Sequence, residues 1–542
     1  MQLPDNENNY LFKGERRMNT LSLETSFIQS DHVKIRQEHF GAMVFDKRTW
    51  TIKEINSAGF HLLSLFDGKH TLKENINDFA KKSEGWDDKH EKNILSYCEE
   101  LYNSELIEPA PEYEVRSKPS GRGVEQQKTL KNLLEEGRQD KSLENDYLRS
   151  PLFVWWDVTY TCNLKCKQCY SNSGPTQNSD LSTAEAKNLI DQLAEAGVFY
   201  IYFLGGEPFM RKDFLELVEY TVSRDMGVMI NTNGWFVDAD IANRLKKAGV
   251  FHVRVSIDGA TANTHDSIRG GKGSFDKAIR AVEYLKKADI PFVSIAPTVM
   301  RENVSEISSL IDLAATLEVS EIQLVQMTDT GRGQKESIIT HDDVLMLKTV
   351  VDEKKQRYPQ MRISASEGIS TDKPFKEEVQ KGDMSPRIMG CAGGRSSCSI
   401  SAEGNVLPCL LYRKEVGNIR ETSFKDIWFN APLFKQARTV KEVCQKCQFG
   451  NVCSGLCPIE PMSSSDRENS AQQFVENNSL ERKIAVSTFL APEIRPYLQI
   501  DAPGCMDAPS AINNSLGQTY YAYSCPCVSP CPCVSPCYCV NP

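Results

Sequence analysis

Between residue 151 and about residue 331, short apolar runs alternate with amphipathic stretches. Strand candidates lie at 153–158, 200–204, 228–231, 253–257, 292–297 and 321–325. Most of them are near-continuously apolar, so both of their faces are expected to be covered. Helical periodicity fills the gaps, as at 182–196 and 275–288. The first of these opens with Ser182-Thr-Ala-Glu185, a spacing at which the two side chains cap each other's backbone N–H groups. Strand followed by helix, six times over, predicts a parallel sheet covered by helices, with ligand-binding loops at the ends of the strands.

Upstream the pattern differs. Short β-like runs at 33–36, 42–46 and 50–55 precede three helical patterns, at 57–66, from Thr71, and at about 88–104. Thr71-Leu-Lys-Glu74 again has capping-box spacing, and Cys98 falls on the apolar stripe of the third helix, as a small core residue would. These elements predict a small α+β unit. From 117 to 150 the chain is charged and poor in aromatic residues, which reads as a linker with one marginal helix. Past residue 461 the strand-and-helix alternation stops, and the chain ends in three six-residue units rich in Cys and Pro. Prolines at this density exclude a helix or an interior strand.

At 542 residues the chain is long enough for several domains. A net charge of −10 and a pI near 5.5 argue against nucleic-acid binding, because no broad positive field is present to neutralise phosphates. The first 17 residues carry no apolar targeting segment, and no run is long and apolar enough to span a membrane, so a cytoplasmic location is expected. The chain has 18 cysteines, 17 of them after residue 161, and in a reducing compartment such clusters point to metal rather than disulfides.

The run Cys162-Asn-Leu-Lys-Cys166-Lys-Gln-Cys169 directly follows the first strand candidate. Three thiolates so spaced suit three irons of a four-iron cluster and leave the fourth open to a small molecule. The second strand ends in Gly205-Gly206-Glu207-Pro208, where glycines permit close approach and a carboxylate can accept from an ammonium group. The third and fourth strands end in polar groups, Asn231-Thr-Asn233-Gly and Ser256-Ile-Asp258-Gly, which need partners if buried. Arg269 follows, with forked donors suited to a carboxylate.

In this order the motifs resemble the radical S-adenosylmethionine (radical SAM) superfamily. That resemblance implies a partial (β/α)6 barrel within an α/β fold. Cys162, Cys166 and Cys169 would hold a [4Fe-4S] cluster that cleaves SAM to a 5′-deoxyadenosyl radical. Gly205, Gly206, Glu207, Asn231, Asn233, Ser256, Asp258 and Arg269 would bind SAM. An external electron donor such as a flavodoxin or ferredoxin would supply the electron.

A second set comprises Cys391, Cys398, Cys409, Cys444, Cys447, Cys453 and Cys457. It resembles the SPASM extension of radical SAM enzymes, which carries auxiliary [4Fe-4S] clusters. By the family pattern Cys391, Cys398, Cys409 and Cys457 would ligate the first, and Cys444, Cys447 and Cys453 three sites of a second. The fourth cysteine that the family usually supplies is missing. The second cluster therefore has an open iron, borrows Cys505, takes a substrate thiol, or is absent, so one or two auxiliary clusters are expected. Leu410 occupies the position where sulfatase-maturing relatives carry an aspartate base, which disfavours formylglycine formation.

The N-terminal α+β unit resembles the winged-helix-like RiPP recognition element, which binds the leader of a precursor peptide. The domains expected are a flexible terminus at 1–30, the recognition element at 31–110, a linker at 111–150, the radical SAM core at 151–331, a bridging and SPASM region at 332–461, and a precursor-like leader and Cys-rich tail at 462–542. The tail thiols Cys525, Cys527, Cys531, Cys533, Cys537 and Cys539 are either a metal-binding or disulfide-forming appendage or a substrate fused in cis. The leading expectation is a peptide maturase, like sactipeptide and ranthipeptide synthases, that joins Cys sulfur to carbon in a thioether. The alternatives are a maturase that forms carbon–carbon links or epimerises residues, and a non-catalytic iron–sulfur storage or redox-sensing protein.

Overall fold

The computed structural model describes residues 21–81, 88–110, 147–175, 180–365, 391–439, 511–513 and 519–521. The chain separates into two compact units, Met1–Pro492 and Glu493–Pro542. In the second, Ala511–Asn513 and Thr519–Tyr521 form an antiparallel pair.

The first unit opens with β1 (Ser26–Gln29), β2 (Val33–Glu38), β3 (Gly41–Asp46), β4 (Thr51–Asn56), α1 (Ser57–Leu63), β5 (Asp67–Thr71), α2 (Leu72–Lys81), α3 (Asp88–Asn103) and β6 (Ile107–Pro109). β2, β3 and β4 form an antiparallel meander in register from Val33↔Asp46 to Gly41↔Asn56, the strands expected from the sequence. A second three-stranded sheet, β5-β1-β6, was not anticipated. Asn56 caps α1 by accepting from Gly59 N, and Thr71 and Glu74 cap α2 reciprocally. Phe27, Val44, Phe60, Leu62, Ile76 and Leu101 pack into one core, and Cys98 is fully buried in it.

Of the stretch read as a linker, residues 147–150 are described, and they lead into the core. Leu148, Ser150 and Leu152 are buried, with Leu148 and Leu152 packed against Met43 and Phe45 of β3 and Phe199. Arg36 fixes this junction. It pairs with Glu38 at 2.8 Å and donates to Ser150 Oγ and to the carbonyls of Ser150, Pro151 and Gly197. A buried guanidinium needs this many acceptors to offset its lost hydration. No local pattern distinguishes a few buried residues at the end of a charged stretch.

The core continues with β7 (Phe153–Thr159), α4 (Thr183–Glu195), β8 (Tyr200–Gly205), α5 (Phe214–Ser223), β9 (Gly227–Thr232), α6 (Ala239–Ala248), β10 (His252–Val255), α7 (Ala262–Arg269), α8 (Ser274–Lys287), β11 (Phe292–Ile295), β12 (Thr298–Val299), α9 (Ile307–Thr316) and β13 (Glu321–Gln326). All six expected strands are present, and β7, β8, β9, β10, β11 and β13 are consecutive parallel neighbours. Val154, Trp156 and Val158 of β7 point into the helix-covered core with Ile201, Phe203, Ile230, Val253 and Ile322. Phe153, Trp155 and Asp157 lie at the alternate positions and take the other face.

After α10 (His341–Arg357), two further strands extend the parallel sheet. β14 (Arg362–Ala365) joins β13, and β15 (Ser397–Ile400) joins β7 in the register Cys398↔Val154. β16 (Asn405–Leu407) and β17 (Gly417–Asn418) then add antiparallel, followed by α11 (Phe424–Asn430) and α12 (Pro432–Arg438). The second cysteine region thus grows from the sheet that carries the first. Among the described residues, no helix is long and apolar enough to cross a membrane.

Candidate functional site

The cysteine run forms the loop leaving β7, and its backbone is tied down on three sides. Cys162 N donates to Gly174 O at 2.7 Å, while Lys165 N and Lys167 N donate to the carbonyls of Arg269 and Ile268 at the end of α7. From beyond β13, Arg332 donates to Cys166 O and Ser173 O, each at 2.8 Å, and its own N–H reaches Cys169 O at 2.9 Å. Gly331 passes so close that a Cβ there would meet Cys169 O at 2.3 Å. Nothing in the sequence singles out Arg332, because its partners are more than 150 residues away.

Cys162 and Cys166 are buried and pack with Leu164, with Cys169 and Trp235 alongside. Burial, together with nearby acidic groups and thiols, pushes the Cys162 thiol up to about 12 and raises that of Cys166. Donors surround the sulfurs: Leu164 N lies 3.4 Å and Asn233 Nδ2 4.0 Å from Cys162 Sγ, and Arg269 Nη1 lies 3.8 Å from Cys166 Sγ. Such groups compensate the negative charge of buried thiolates, so the loop fits a thiolate-held cluster. Among the described residues no three His, Cys, Asp or Glu side chains converge on one ion. A cluster takes its thiolates on separate irons and needs no such point.

The strand ends close around this loop. At the end of β8, a Cβ on Gly205 would meet Thr159 O at 2.2 Å and one on Gly206 would meet Thr161 O at 2.3 Å. Gly205 also has φ +123, in the range that L side chains avoid. Gly206 N and Glu207 N donate to those same two carbonyls, which fastens the turn to the cysteine loop. Glu207 is fully buried and accepts from Thr232 Oγ1 at 2.8 Å, Asn233 N at 2.7 Å and Phe209 N at 3.2 Å. It therefore ties the end of β8 to the end of β9. Asn233 in turn holds Asn163 Oδ1 at 2.9 Å.

On the other side, Asp258 and Arg269 form a buried ion pair at 2.6 Å. Asp258 also accepts from Gln168 Nε2 at 2.6 Å and Thr298 N at 2.7 Å. The approach of Arg269 Nε is too poorly aligned for a hydrogen bond, so this contact is mainly electrostatic. Burial works against the charge of Arg269, but Asp258 and the nearby thiols hold its pKa above the ordinary value. Sequence reasoning expected Asp258 to find its partner in a ligand; the structure supplies them from the protein. Asn231 and Gln168 differ, since Asn231 Oδ1 and Gln168 Oε1 are buried with no partner among the described residues. Ser256 is half-buried just past β10, with its N–H on Thr232 O at 2.9 Å.

Glu207 gives the site a pH dependence. Burial raises its pKa from 4.5 to about 7, against the opposing hydrogen bonds of Asn233, Thr232 and Phe209 and the charge of Arg269. A raised folded-state value means that the contribution to stability is complete below the unfolded pKa and is lost as pH rises through the folded one. Urea unfolding of the SAM-free protein should therefore show wild type losing up to about 3 kcal/mol relative to Glu207→Gln between about pH 5 and about pH 8. A constant difference between the two proteins would remove the buried carboxyl as the source.

Three of the second-set cysteines are described. Cys398 is fully buried on β15, and burial raises its pKa. Cys409 follows β16 and its sulfur accepts from Tyr412 N at 3.2 Å. Gly393 connects the Cys391 segment to it, since a Cβ there would lie 3.4 Å from Cys409 Cβ. Cys398 sits opposite Val154 near the start of β7, whereas Cys162 lies beyond its end. Five residues of strand at about 3.3 Å each separate those levels by about 16 Å. Cys444, Cys447, Cys453, Cys457 and Cys505, and the tail thiols Cys525, Cys527, Cys531, Cys533, Cys537 and Cys539, lie outside the described residues.

Residues 156–314 match the Radical SAM superfamily model, and residues 391–448 match the SPASM iron-sulfur cluster-binding domain. The chain is 33% identical over 318 residues to the AdoMet-dependent heme synthase of Methanosarcina barkeri, covering 56% of this chain and 91% of that one. The chain belongs to the radical SAM superfamily. The mycofactocin maturase MftC of Mycobacterium tuberculosis is also 33% identical, over 57% of this chain and 79% of its own. In fold, Streptococcus suis SuiB bound to precursor peptide SuiA superposes with a TM-score of 0.61 at 17% identity, covering 81% of this chain and 99% of that one. As a radical SAM enzyme with a SPASM region, the chain uses SAM and a [4Fe-4S] cluster, and its SPASM region binds auxiliary iron–sulfur clusters.

Proposed function

We propose that this radical SAM enzyme is a peptide maturase that installs Cys-sulfur-to-carbon thioethers in a Cys-rich core peptide, with its own C-terminal tail as the candidate core. The observation that carries the reading is the joining of three parts in one chain. A separate α+β unit is docked through Arg36 onto the SAM-cleaving core, and the tail ends in regularly spaced thiols. The likeness to MftC, named as a maturase, supports it. The N-terminal unit would act as a winged-helix-like recognition element, taking a leader peptide as an added strand on a sheet edge, where backbone hydrogen bonds give affinity and side-chain pockets give specificity. Tethering would hold the tail at high local concentration.

In this reading the core is the partial (β/α)6 barrel, and Cys162, Cys166 and Cys169 hold the cluster. When bound, the cluster supplies the electron that cleaves SAM to a 5′-deoxyadenosyl radical. Arg269, held by Asp258, would receive the carboxylate of SAM through its remaining donors. The carboxylate of Glu207 is already occupied by protein donors, so the turn Gly205-Gly206 would present backbone oxygens to the SAM ammonium. Asn231, Asn233 and Ser256 would meet the ribose side, with Asn231 Oδ1 awaiting a donor. Thioether formation moves one hydrogen atom from carbon to the deoxyadenosyl group, releases the thiol proton and frees one electron. A cluster at Cys391, Cys398, Cys409 and Cys457 could accept that electron.

The M. barkeri relative favours a second reading, a heme-synthase-like activity on a small molecule. Anaerobic incubation with SAM and a reductant, followed by mass spectrometry of the tail, decides between them. A thioether removes a pair of hydrogens per link and blocks alkylation of that cysteine. Formation of 5′-deoxyadenosine with an unchanged, fully alkylatable tail would overturn modification in cis. Epimerisation would leave the mass unchanged but alter the chirality of the hydrolysed residues.

A further inference from the structure

The loop between β16 and β17 reaches out of its own region into the mouth of the radical-generating site. Cys409 starts it, and four residues later Arg413 donates to Asp157 Oδ2 at 3.0 Å and also hydrogen-bonds the Tyr160 hydroxyl. Its guanidinium lies 5.5 Å from the centre of the Tyr160 ring and 5.8 Å from that of Tyr170, within cation–π range of both. Tyr170 closes the group by donating to Asp157 Oδ1 at 2.6 Å.

The placement of these partners gives the contact its meaning. Tyr160 lies two residues before Cys162, and Tyr170 directly follows Cys169, so both flanks of the cysteine loop meet on one arginine. Asp157 is 1% exposed on β7 and needs a cation or several donors to remain there. Burial raises its pKa, while Arg413 and the tyrosine hydroxyls oppose that shift. Arg413 and Asp157 are 256 residues apart in sequence, and no motif links them.

We propose that Arg413 is a positioning residue that couples the Cys409 loop to the cysteine loop that holds the SAM-cleaving cluster, so that filling the auxiliary site tightens SAM binding. Ordering of Cys409 on a cluster would fix Tyr412 and Arg413. Arg413 in turn would fix Tyr160 and Tyr170, and through them both ends of the Cys162–Cys169 loop. This rests on Cys409 being an auxiliary ligand, as proposed above, and the experiment separates failure of that assignment from failure of the coupling.

The test is a double-mutant cycle on reconstituted full-length protein with Arg413→Gln and Cys409→Ser. It reads the dissociation constant of SAM, the SAM-induced change in the EPR spectrum of the reduced enzyme, and iron per chain. Each single variant should weaken SAM binding about tenfold and blunt the spectral change, and the double variant should be no weaker than the weaker-binding single. Arg413→Lys should fall between wild type and Arg413→Gln, because it keeps the charge without the fork. Multiplicative effects, or unchanged SAM affinity in Arg413→Gln, would overturn the coupling. Full iron retention in Cys409→Ser would instead overturn the ligand assignment and the coupling with it. If Arg413→Gln fails to assemble its clusters, the same cycle is run on Asp157→Asn/Arg413→Gln. That background leaves no buried charge unpaired, and loss of the Cys409→Ser effect there supports the proposal while its persistence refutes it.

Discussion

Replacing Cys162, Cys166 or Cys169 with alanine should abolish 5′-deoxyadenosine formation and lower the iron content by about four atoms per chain, the content of one cubane. The cysteine loop is preformed by backbone bonds to Gly174, Ile268 and Arg269 and by the Arg332 clamp, none of which uses a sulfur. Loss of one thiolate should therefore remove the cluster without unfolding the core. Circular dichroism should stay at the wild-type level while the iron–sulfur absorbance falls by one cluster's share. The remaining iron should reside at the auxiliary site, and Cys398→Ala should remove that share while sparing Cys162, Cys166 and Cys169. Continued SAM cleavage by Cys162→Ala would sink the assignment of the open iron to this loop.

Much of this was legible in the sequence, and the parts that were not share a cause. β8, with Tyr-Ile-Tyr-Phe-Leu-Gly, is an unbroken apolar run because both faces are covered, and β7, β9 and β11 carry similar signals, whereas β10 (His-Val-Arg-Val) and β13 (Glu-Ile-Gln-Leu-Val-Gln) alternate apolar and polar residues. β15 reads Ser-Cys-Ser-Ile and is just as buried, yet its small polar residues give no apolar run. It is a strand because β7 offers it an edge. β1, β5 and β6 are likewise short, and their pairings span tens of residues, so no local period marks them.

The site divides along the same line. Cys162, Cys166, Cys169, Gly205, Gly206 and Glu207 stand in compact motifs whose spacing carries chemical meaning. Arg332 and Arg413 are single arginines whose partners come from distant parts of the chain. Glu207 and Asp258 were legible as residues but not in orientation. Whether a carboxylate faces a ligand or a neighbouring strand depends on which donors the fold brings to it.

Asp258→Ala should show how much that orientation matters. The change would leave Arg269 buried beside Cys166 without its counter-ion, and would strip Gln168 Nε2 and Thr298 N of their acceptor. Breaking one side of a buried pair typically costs about 3–5 kcal/mol, because the remaining charge stays desolvated. The urea midpoint of the cluster-free protein should fall accordingly. Asp258→Asn keeps the shape and an acceptor for Thr298 N but loses the charge that aims Arg269. Its fold should be largely retained while SAM affinity drops about tenfold, equivalent to about 1.4 kcal/mol. The two variants together separate the roles of this carboxylate: alanine reports its cost to the fold, and asparagine its control of the arginine. If Asp258→Asn bound SAM as wild type does, Arg269 would be held by packing alone, and the ion pair would be a feature of stability rather than of SAM recognition.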